Sequence, residues 1–235
     1  VLNAGRKSAA IQKNGNAASA GKLTISGDGK LTATGGYLGA GIGSCSRAST
    51  ANIVIAGGTV TATGGGCGAG IGGGESGSAT DITIAGGTVT ATGGNCGAGI
   101  GGGAYGNAAN ITITGGTVTT TGGGLEAGLG SYKGNATNIT IAGGTVKVIG
   151  GYNGPEIGSA DNVTITGGTI RTSRRIVGEE EEMETVITGA SNGKEPVYRT
   201  IVDLKEDYGT QSPVTEVMET GYGMNGVYTD GEGRI

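Results

Sequence analysis

The sequence predicts an all-β protein, a right-handed parallel β-helix (β-solenoid) followed by a small β-rich module. Three features predict it: a phrase that recurs about every 29 residues, alternation of apolar and polar residues within it, and glycine pairs that interrupt the alternation. Glycine accounts for 56 of the 235 residues, and tryptophan, phenylalanine and histidine are absent. Glycine does not fall at every third position, which excludes collagen, and the regular apolar spacing argues against disorder.

The repeat defines the domain organisation. Its first strand opens at intervals of 29, 29, 28 and 24 residues, at Ile53, Ile82, Ile111, Ile139 and Val163. A looser copy opens at Leu23, and an earlier partial copy places Ile11 at the position later held by Ile42. We therefore expect a parallel β-helix over residues 1–173 and a small β-rich module over residues 174–235, where the repeat stops. Since the chain begins with Val1 rather than methionine, we expect it to be a segment of a larger protein.

Each coil is expected to contain three short strands. A side-chain period of two is typical of a β-strand, so alternate residues face the interior. In the coil that opens at Ile82, two glycine pairs separate the strands. The expected inward residues are Ile82 and Ile84, then Val89 and Ala91, then Cys96, Ala98 and Ile100. Coils stacked about 4.8 Å apart would pair each strand in parallel with its copies, and the crossover rule favours a right-handed path.

Residues at the same position of successive coils form columns, and the inward columns are apolar. Two of them are Leu31, Val60, Val89, Val118, Val146, Ile170 and Ile42, Ile71, Ile100, Leu129, Ile157. A third expected inward column is Leu38, Cys67, Cys96 and Leu125. We predict that Cys67 and Cys96 are buried free thiols, and a disulfide between these stacked neighbours is the alternative.

A polar column precedes the first strand of each coil and consists of Asn52, Asp81, Asn110, Asn138 and Asn162. Asparagine tolerates the bent backbone of a corner, and stacked amides can hydrogen-bond from coil to coil. We interpret the column as a structural Asn ladder. The alternative is a set of N-glycosylation sites, because Asn110, Asn138 and Asn162 each begin an Asn-X-Thr sequence.

The tandem phrases ITIxGGTVTATGG and GAGIGGG resemble the β-helical repeats of large cell-surface proteins of Gram-positive bacteria, and the β-helix carbohydrate-binding domains of such organisms. The similarity extends to about Ser173, and the terminal GYGMNGVYTDGEGRI resembles the β-rich segment that often follows. The resemblance implies an extracellular location, secreted or at the cell surface, and a role as a stalk, an adhesin or a glycan-binding segment.

The charged residues argue against an enzyme. Between residues 21 and 173 there are six acidic and six basic residues, scattered over different columns. Polysaccharide-processing β-helix enzymes need clustered carboxylates, or several aspartates around a calcium ion. The sequence has no metal-ligand spacing, no cofactor motif and no basic stripe, so we expect no metal, no cofactor and no nucleic-acid partner.

Two strand surfaces are candidates for binding. The Thr face consists of Thr59, Thr61, Thr63, Thr88, Thr90, Thr92, Thr117, Thr119 and Thr121. It resembles the ice-binding face of β-solenoid antifreeze proteins, although threonine is also a favourable exposed strand residue. The Gly face consists of Gly39, Gly41, Gly43, Gly68, Gly70, Gly72, Gly97, Gly99 and Gly101. These glycines indicate either close approach by another backbone or ligand, or turns that need a positive φ.

The third candidate surface is the loop after the third strand, where the coils differ most. Its distinctive residues are Arg47, Glu75, Tyr105, Tyr132 and Lys133. An exposed tyrosine can stack on a sugar ring while polar neighbours bind the hydroxyls. We expect a non-enzymatic segment that binds a glycan or a cell-surface protein, with wall or membrane attachment only through parts outside this chain. An ice-binding solenoid is the first alternative, and a polysaccharide-processing enzyme is the second.

Overall fold

The structure is a computed structural model that describes residues 1–15, 21–131, 133–152, 154–158, 160–175, 182–188, 197–201 and 215–218. The described residues form 22 strands and no helix, and therefore contain no helix with the length and hydropathy of a membrane span. The strands are β1 (Leu2–Asn3), β2 (Ile11–Gln12), β3 (Leu23–Ile25), β4 (Lys30–Thr34), β5 (Ile42–Gly43), β6 (Thr50–Ile55), β7 (Thr59–Thr63), β8 (Ile71–Gly72), β9 (Ala79–Ile84), β10 (Thr88–Thr92), β11 (Ile100–Gly101), β12 (Ala108–Ile113), β13 (Thr117–Thr121), β14 (Leu129–Gly130), β15 (Ala136–Ile141), β16 (Thr145–Tyr152), β17 (Ile157–Gly158), β18 (Ala160–Ile165), β19 (Thr169–Arg175), β20 (Glu182–Thr188), β21 (Val197–Ile201) and β22 (Thr215–Met218).

The strands stack into three parallel sheets, which confirms the predicted β-solenoid. One sheet has the order β3-β6-β9-β12-β15-β18, the second begins β1-β4-β7-β10-β13-β16-β19, and the third is β2-β5-β8-β11-β14-β17. Successive coils pair without slippage: all five residues of β10 pair with their copies in β7 and β13. The predicted partial first coil is also present, because Ile11 pairs with Ile42.

The core is a narrow stack of aliphatic side chains between the sheets. Ile82, Ile84, Val89 and Ala91 are each at most 1% exposed, as the alternation predicts. Thr120 takes the place that Ala91 has in the coil before, and its hydroxyl donates to the carbonyl of Gly128 in the same coil. The one buried hydroxyl in this column therefore has a partner.

The third predicted inward column is wrong. Cys67 and Cys96 are only half-buried, and Leu125 is 46% exposed. These residues lie in tight turns, closed in one coil by the hydrogen bond from Gly97 N to Gly94 O (2.9 Å). The third strand of this coil is only two residues long, Ile100–Gly101. Of the three predicted inward residues, only Ala98 and Ile100 are buried. A turn does not continue the alternation of a strand, so the period-two pattern does not place these residues in the core.

The Gly face is not an open surface, which contradicts the predicted outward placement. Its glycines are buried, and the backbone of the neighbouring coil occupies the space of a Cβ: at Gly97 this is the carbonyl of Gly68. At Gly72 a positive φ of 138° adds a second requirement for glycine. Both anticipated reasons for glycine therefore apply, but the approaching backbone is that of the solenoid itself.

The stacking mode changes after β19. β20 pairs antiparallel with β19, β21 with β20, and β22 with β21, so the second sheet continues as a meander. The boundary predicted at residue 173 falls within β19, close to this change. The two-domain division and the right-handed path stay predictions.

Replacing Val89 with aspartate should unfold the array, whereas replacing Thr90 with aspartate should be tolerated. Val89 is 1% exposed, and an unpaired carboxylate there would cost roughly 3–5 kcal/mol. Thr90 lies on the outer side of the same strand and is partly exposed. Urea unfolding followed by circular dichroism measures both variants. Equal tolerance at the two positions would contradict the inward and outward assignment.

Candidate functional site

The loop after the third strand forms a regular row of tight turns along one edge of the solenoid. The turns are closed by hydrogen bonds from Gly77 N to Gly74 O (2.8 Å) and, one coil later, from Gly106 N to Gly103 O (2.8 Å). Non-glycine residues with positive φ occupy the third position of these turns: Arg47 (61°), Ser76 (54°) and Tyr105 (63°). A positive φ is uncommon outside glycine, asparagine and aspartate. The third position of each turn, which we call its apex, therefore carries a residue type that rarely adopts this backbone conformation.

Tyr105 and Lys133 come together at this edge. The Tyr105 side chain is 69% exposed, and the Lys133 ammonium lies 5.2 Å from the centroid of its ring. That distance is within the range of a cation–π interaction, which orients the ring without burying it. The predicted partner Tyr132 lies outside the described residues.

Arg47 and Glu75 form a second group on adjacent coils. The Arg47 backbone N donates to the Glu75 carbonyl (2.7 Å), and the Ser46 hydroxyl donates to the Glu75 carboxylate (2.9 Å). Arg47 is exposed and Glu75 is partly buried. The edge therefore combines a carboxylate, a hydroxyl and a guanidinium in its N-terminal coils, and a tyrosine with an ammonium further along.

The sequence reasoning missed a second row of turns, which precedes the third strand and adjoins the first row. Glu75 N donates to Leu38 O (2.8 Å) and Ala104 N donates to Cys67 O (3.0 Å), so each loop packs on the turn of the preceding coil. We call the two rows together the loop edge. Its second row presents Tyr37 (58% exposed) and Tyr152 (50% exposed). Their position directly after a glycine pair, where the coils differ, is the feature that could have identified them.

The three cysteines are free thiols on or beside the loop edge. The pKa of the Cys67 thiol is raised, chiefly by burial, with further contributions from the Cys96 thiol and the Glu75 carboxylate. A raised pKa leaves less of the reactive thiolate at neutral pH, which makes this cysteine a poor nucleophile. Within the described part of the chain, no group of three or more potential metal ligands comes together.

The Asn ladder lies at a bend within the first strand of each coil. Asn110 donates from Nδ2 to the Asp81 carboxylate (2.9 Å), and Asn138 donates in the same way to Asn110 Oδ1 (3.1 Å). Asn52, Asp81, Asn110 and Asn138 all have positive φ, between 52° and 60°. The side chain of Asn162 lies outside the described residues. The amide nitrogen that a glycan would modify is the atom that donates along the ladder.

A second polar ladder was not predicted. Side-chain oxygens of Ser49, Ser78 and Asn107 each accept a hydrogen bond from the backbone of the next coil, at 3.3, 3.1 and 2.9 Å. They recur at intervals of 29 residues, so aligning the loops would have revealed them. The two ladders satisfy polar groups at corners where the strand pairing is interrupted.

The Thr face is in register across the coils. Thr61, Thr90 and Thr119 pair as neighbours, and the flanking threonines of each strand pair in the same way. The paired strand β4 extends two of the columns with Thr32 and Thr34. Exposure is uneven, because the last threonine, Thr121, is only 8% exposed.

Comparison with known proteins supports the architecture. The beta helix repeat family model matches residues 23–45, 53–75, 82–104 and 111–131, four copies that each begin at or within the first strand of a coil and include the next two strands. Neither a search of curated proteins nor a search of solved structures found a match. The chain is therefore similar to beta helix repeats over its central coils.

Asn110→Ala should destabilise the array more than Asn110→Gly. Both variants lose the ladder hydrogen bonds, but alanine also has to adopt a φ near 52°, which costs about 1–2 kcal/mol more than glycine does. Thermal unfolding of the two variants measures the difference. Equal melting temperatures would show that the ladder position imposes no backbone strain.

Proposed function

We propose that this chain is a non-enzymatic, extracellular segment of a bacterial surface protein that binds glycans along its loop edge. The observation that supports the proposal most is the Tyr105 ring, 69% exposed with the Lys133 ammonium 5.2 Å from its centroid. Large exposed aromatic side chains in a polar setting are typical of a binding surface. The resemblance to Gram-positive surface proteins supplies the location.

The ring and the ammonium have complementary tasks in this proposal. The accessible part of the Tyr105 ring would contact the C–H face of a pyranose, and Lys133 would donate hydrogen bonds to its hydroxyls. A shallow edge buries little surface, so each contact would be weak. Repeated display along a stalk would raise the overall avidity.

The stacking explains why the contacts would lie at the loop edge. Elsewhere the coils are near copies, with in-register strands and backbone in contact with backbone. The apex of each turn can change its side chain without disturbing the stack, as Arg47, Ser76 and Tyr105 show. In repeat proteins such variable positions on one face often form the binding surface.

Combining Tyr105→Ala with Lys133→Ala should weaken the binding of the intact chain to any glycan that it recognises on an array by about tenfold or more, because one aromatic contact and one charged donor are lost. The control is Thr112→Ala, a partly exposed change in β12, outside the loop edge. Adding Tyr132→Ala tests the remaining predicted aromatic residue. Unchanged binding by the folded triple variant would contradict the proposed site.

Ice binding is a second candidate function, favoured by the in-register columns of the Thr face. Along a strand the threonines repeat at about 6.7 Å, and between coils at about 4.8 Å, which gives a regular and uncharged lattice of hydroxyl and methyl groups. Lys147 replaces threonine in the central column of β16, which limits the extent of the lattice.

If ice is the ligand, Thr90→Lys should abolish the slowing of ice growth, because a long cation would disrupt the centre of the lattice. Thr112→Lys places the same change in a different sheet and should leave the effect unchanged. Measurement of ice-crystal growth rates with both variants tests this. Equal inhibition by native protein and Thr90→Lys would exclude the Thr face.

A further inference from the structure

The second row of the loop edge alternates between large residues and glycine. The second position of its turns is occupied in successive coils by Tyr37, Gly66, Asn95, Gly124 and Tyr152, the last of which also ends β16. Each glycine follows a larger residue of the preceding coil, which can then lean over it. At Gly124 a Cβ would first meet the Asn95 backbone carbonyl, and the Asn95 Oδ1 would be 3.3 Å away.

The Tyr37 ring lies in the space that a side chain on Gly66 would occupy. A Cβ on Gly66 would lie 2.6, 2.9 and 3.1 Å from three ring atoms of Tyr37, so the ring packs directly on the backbone of the next coil. It nevertheless remains 58% exposed. A ring that is already held in place loses little conformational freedom when a ligand stacks on it.

The loop that packs against the Tyr37 turn carries polar groups. Glu75 N is hydrogen-bonded to the carbonyl of Leu38, the residue that follows Tyr37, and the Glu75 carboxylate accepts from the Ser46 hydroxyl (2.9 Å). The carboxylate also acts electrostatically on the Cys67 thiol, which belongs to the residue next to Gly66. Arg47, the residue directly after Ser46, is exposed.

We propose that Tyr37, Glu75 and Arg47 form a separate pyranose-binding subsite for neutral β-linked hexoses and N-acetylhexosamines. Sugars with equatorial substituents have a C–H face that can contact the Tyr37 ring, while the Glu75 carboxylate accepts from hydroxyls and Arg47 donates to them. The subsite rests on the proposed glycan-binding function and adds a second contact point on the same edge. Two subsites on one rigid edge would favour a chain of several sugars over a single residue.

The test uses the full chain labelled with 3-fluorotyrosine, which gives one ¹⁹F resonance for each of the eight tyrosines. Tyr37→Phe and Tyr105→Phe assign the two resonances of interest. Cellohexaose and chitohexaose are titrated to millimolar concentrations. The subsite predicts that the Tyr37 resonance moves with at least one of them.

The most specific variant is Gly66→Ala, which keeps the Tyr37 side chain but places a methyl group where its ring packs. The three atoms nearest to the new Cβ all belong to the Tyr37 side chain, which can rotate away towards solvent, so the backbone should remain intact. Gly66→Ala and Tyr37→Ala should both weaken binding about five- to tenfold, the size expected for one aromatic contact. Glu75→Gln should also weaken binding, and Thr112→Ala should not.

The outcomes separate the two proposals. Movement of the Tyr105 resonance alone would overturn the Tyr37 subsite and leave the proposed function intact. Movement of the Tyr37 resonance alone, lost in Gly66→Ala, would support the subsite and contradict the Tyr105 site. Native affinity in Gly66→Ala, or no movement of the Tyr37 resonance with either hexasaccharide, would overturn the subsite.

Discussion

The solenoid depends on direct contact between the backbones of successive coils at its glycine columns. At Gly97 the position of a Cβ is occupied by the carbonyl of Gly68, and Gly68 stands in the same relation to Gly39. This approach lets Gly94 N reach the Gly68 carbonyl at 2.9 Å, one coil away. The glycines thus allow the main chain to satisfy its own hydrogen bonds in a core too thin to hold large side chains.

This constraint also determines where the chain is free to vary. Strand residues must match their copies above and below, and corner glycines have no room for a side chain. Several turn positions on the loop edge escape both requirements, which is why Tyr37, Arg47 and Tyr105 can occur in coils that are otherwise alike. A repetitive stack with a variable loop edge is well suited to present weak binding contacts at a fixed spacing.

Much of the fold could be predicted from sequence because period-two alternation and a 29-residue repeat fix both register and core, as for Val60 and Val89. The alternation predicts a third strand that begins too early, at Cys96, whereas β11 begins at Ile100. Glycine alternates with small residues there, and such a pattern does not distinguish a strand from a turn. The alternation therefore predicts that Cys96 faces inward, whereas this residue lies in a turn and is only half-buried. Tyr37 was missed for a related reason, since only the pairing of coils shows that its ring lies on Gly66.

The most direct test of the stacking constraint is the free energy of unfolding of Gly97→Ala compared with that of Gly29→Ala. Neither glycine has a positive φ, but Gly97 lies against the Gly68 carbonyl whereas nothing lies within 4 Å of a Cβ on Gly29. We expect Gly97→Ala to lose several kcal/mol, and Gly29→Ala to change by less than about 1 kcal/mol. Equal stability of the two variants would contradict the account.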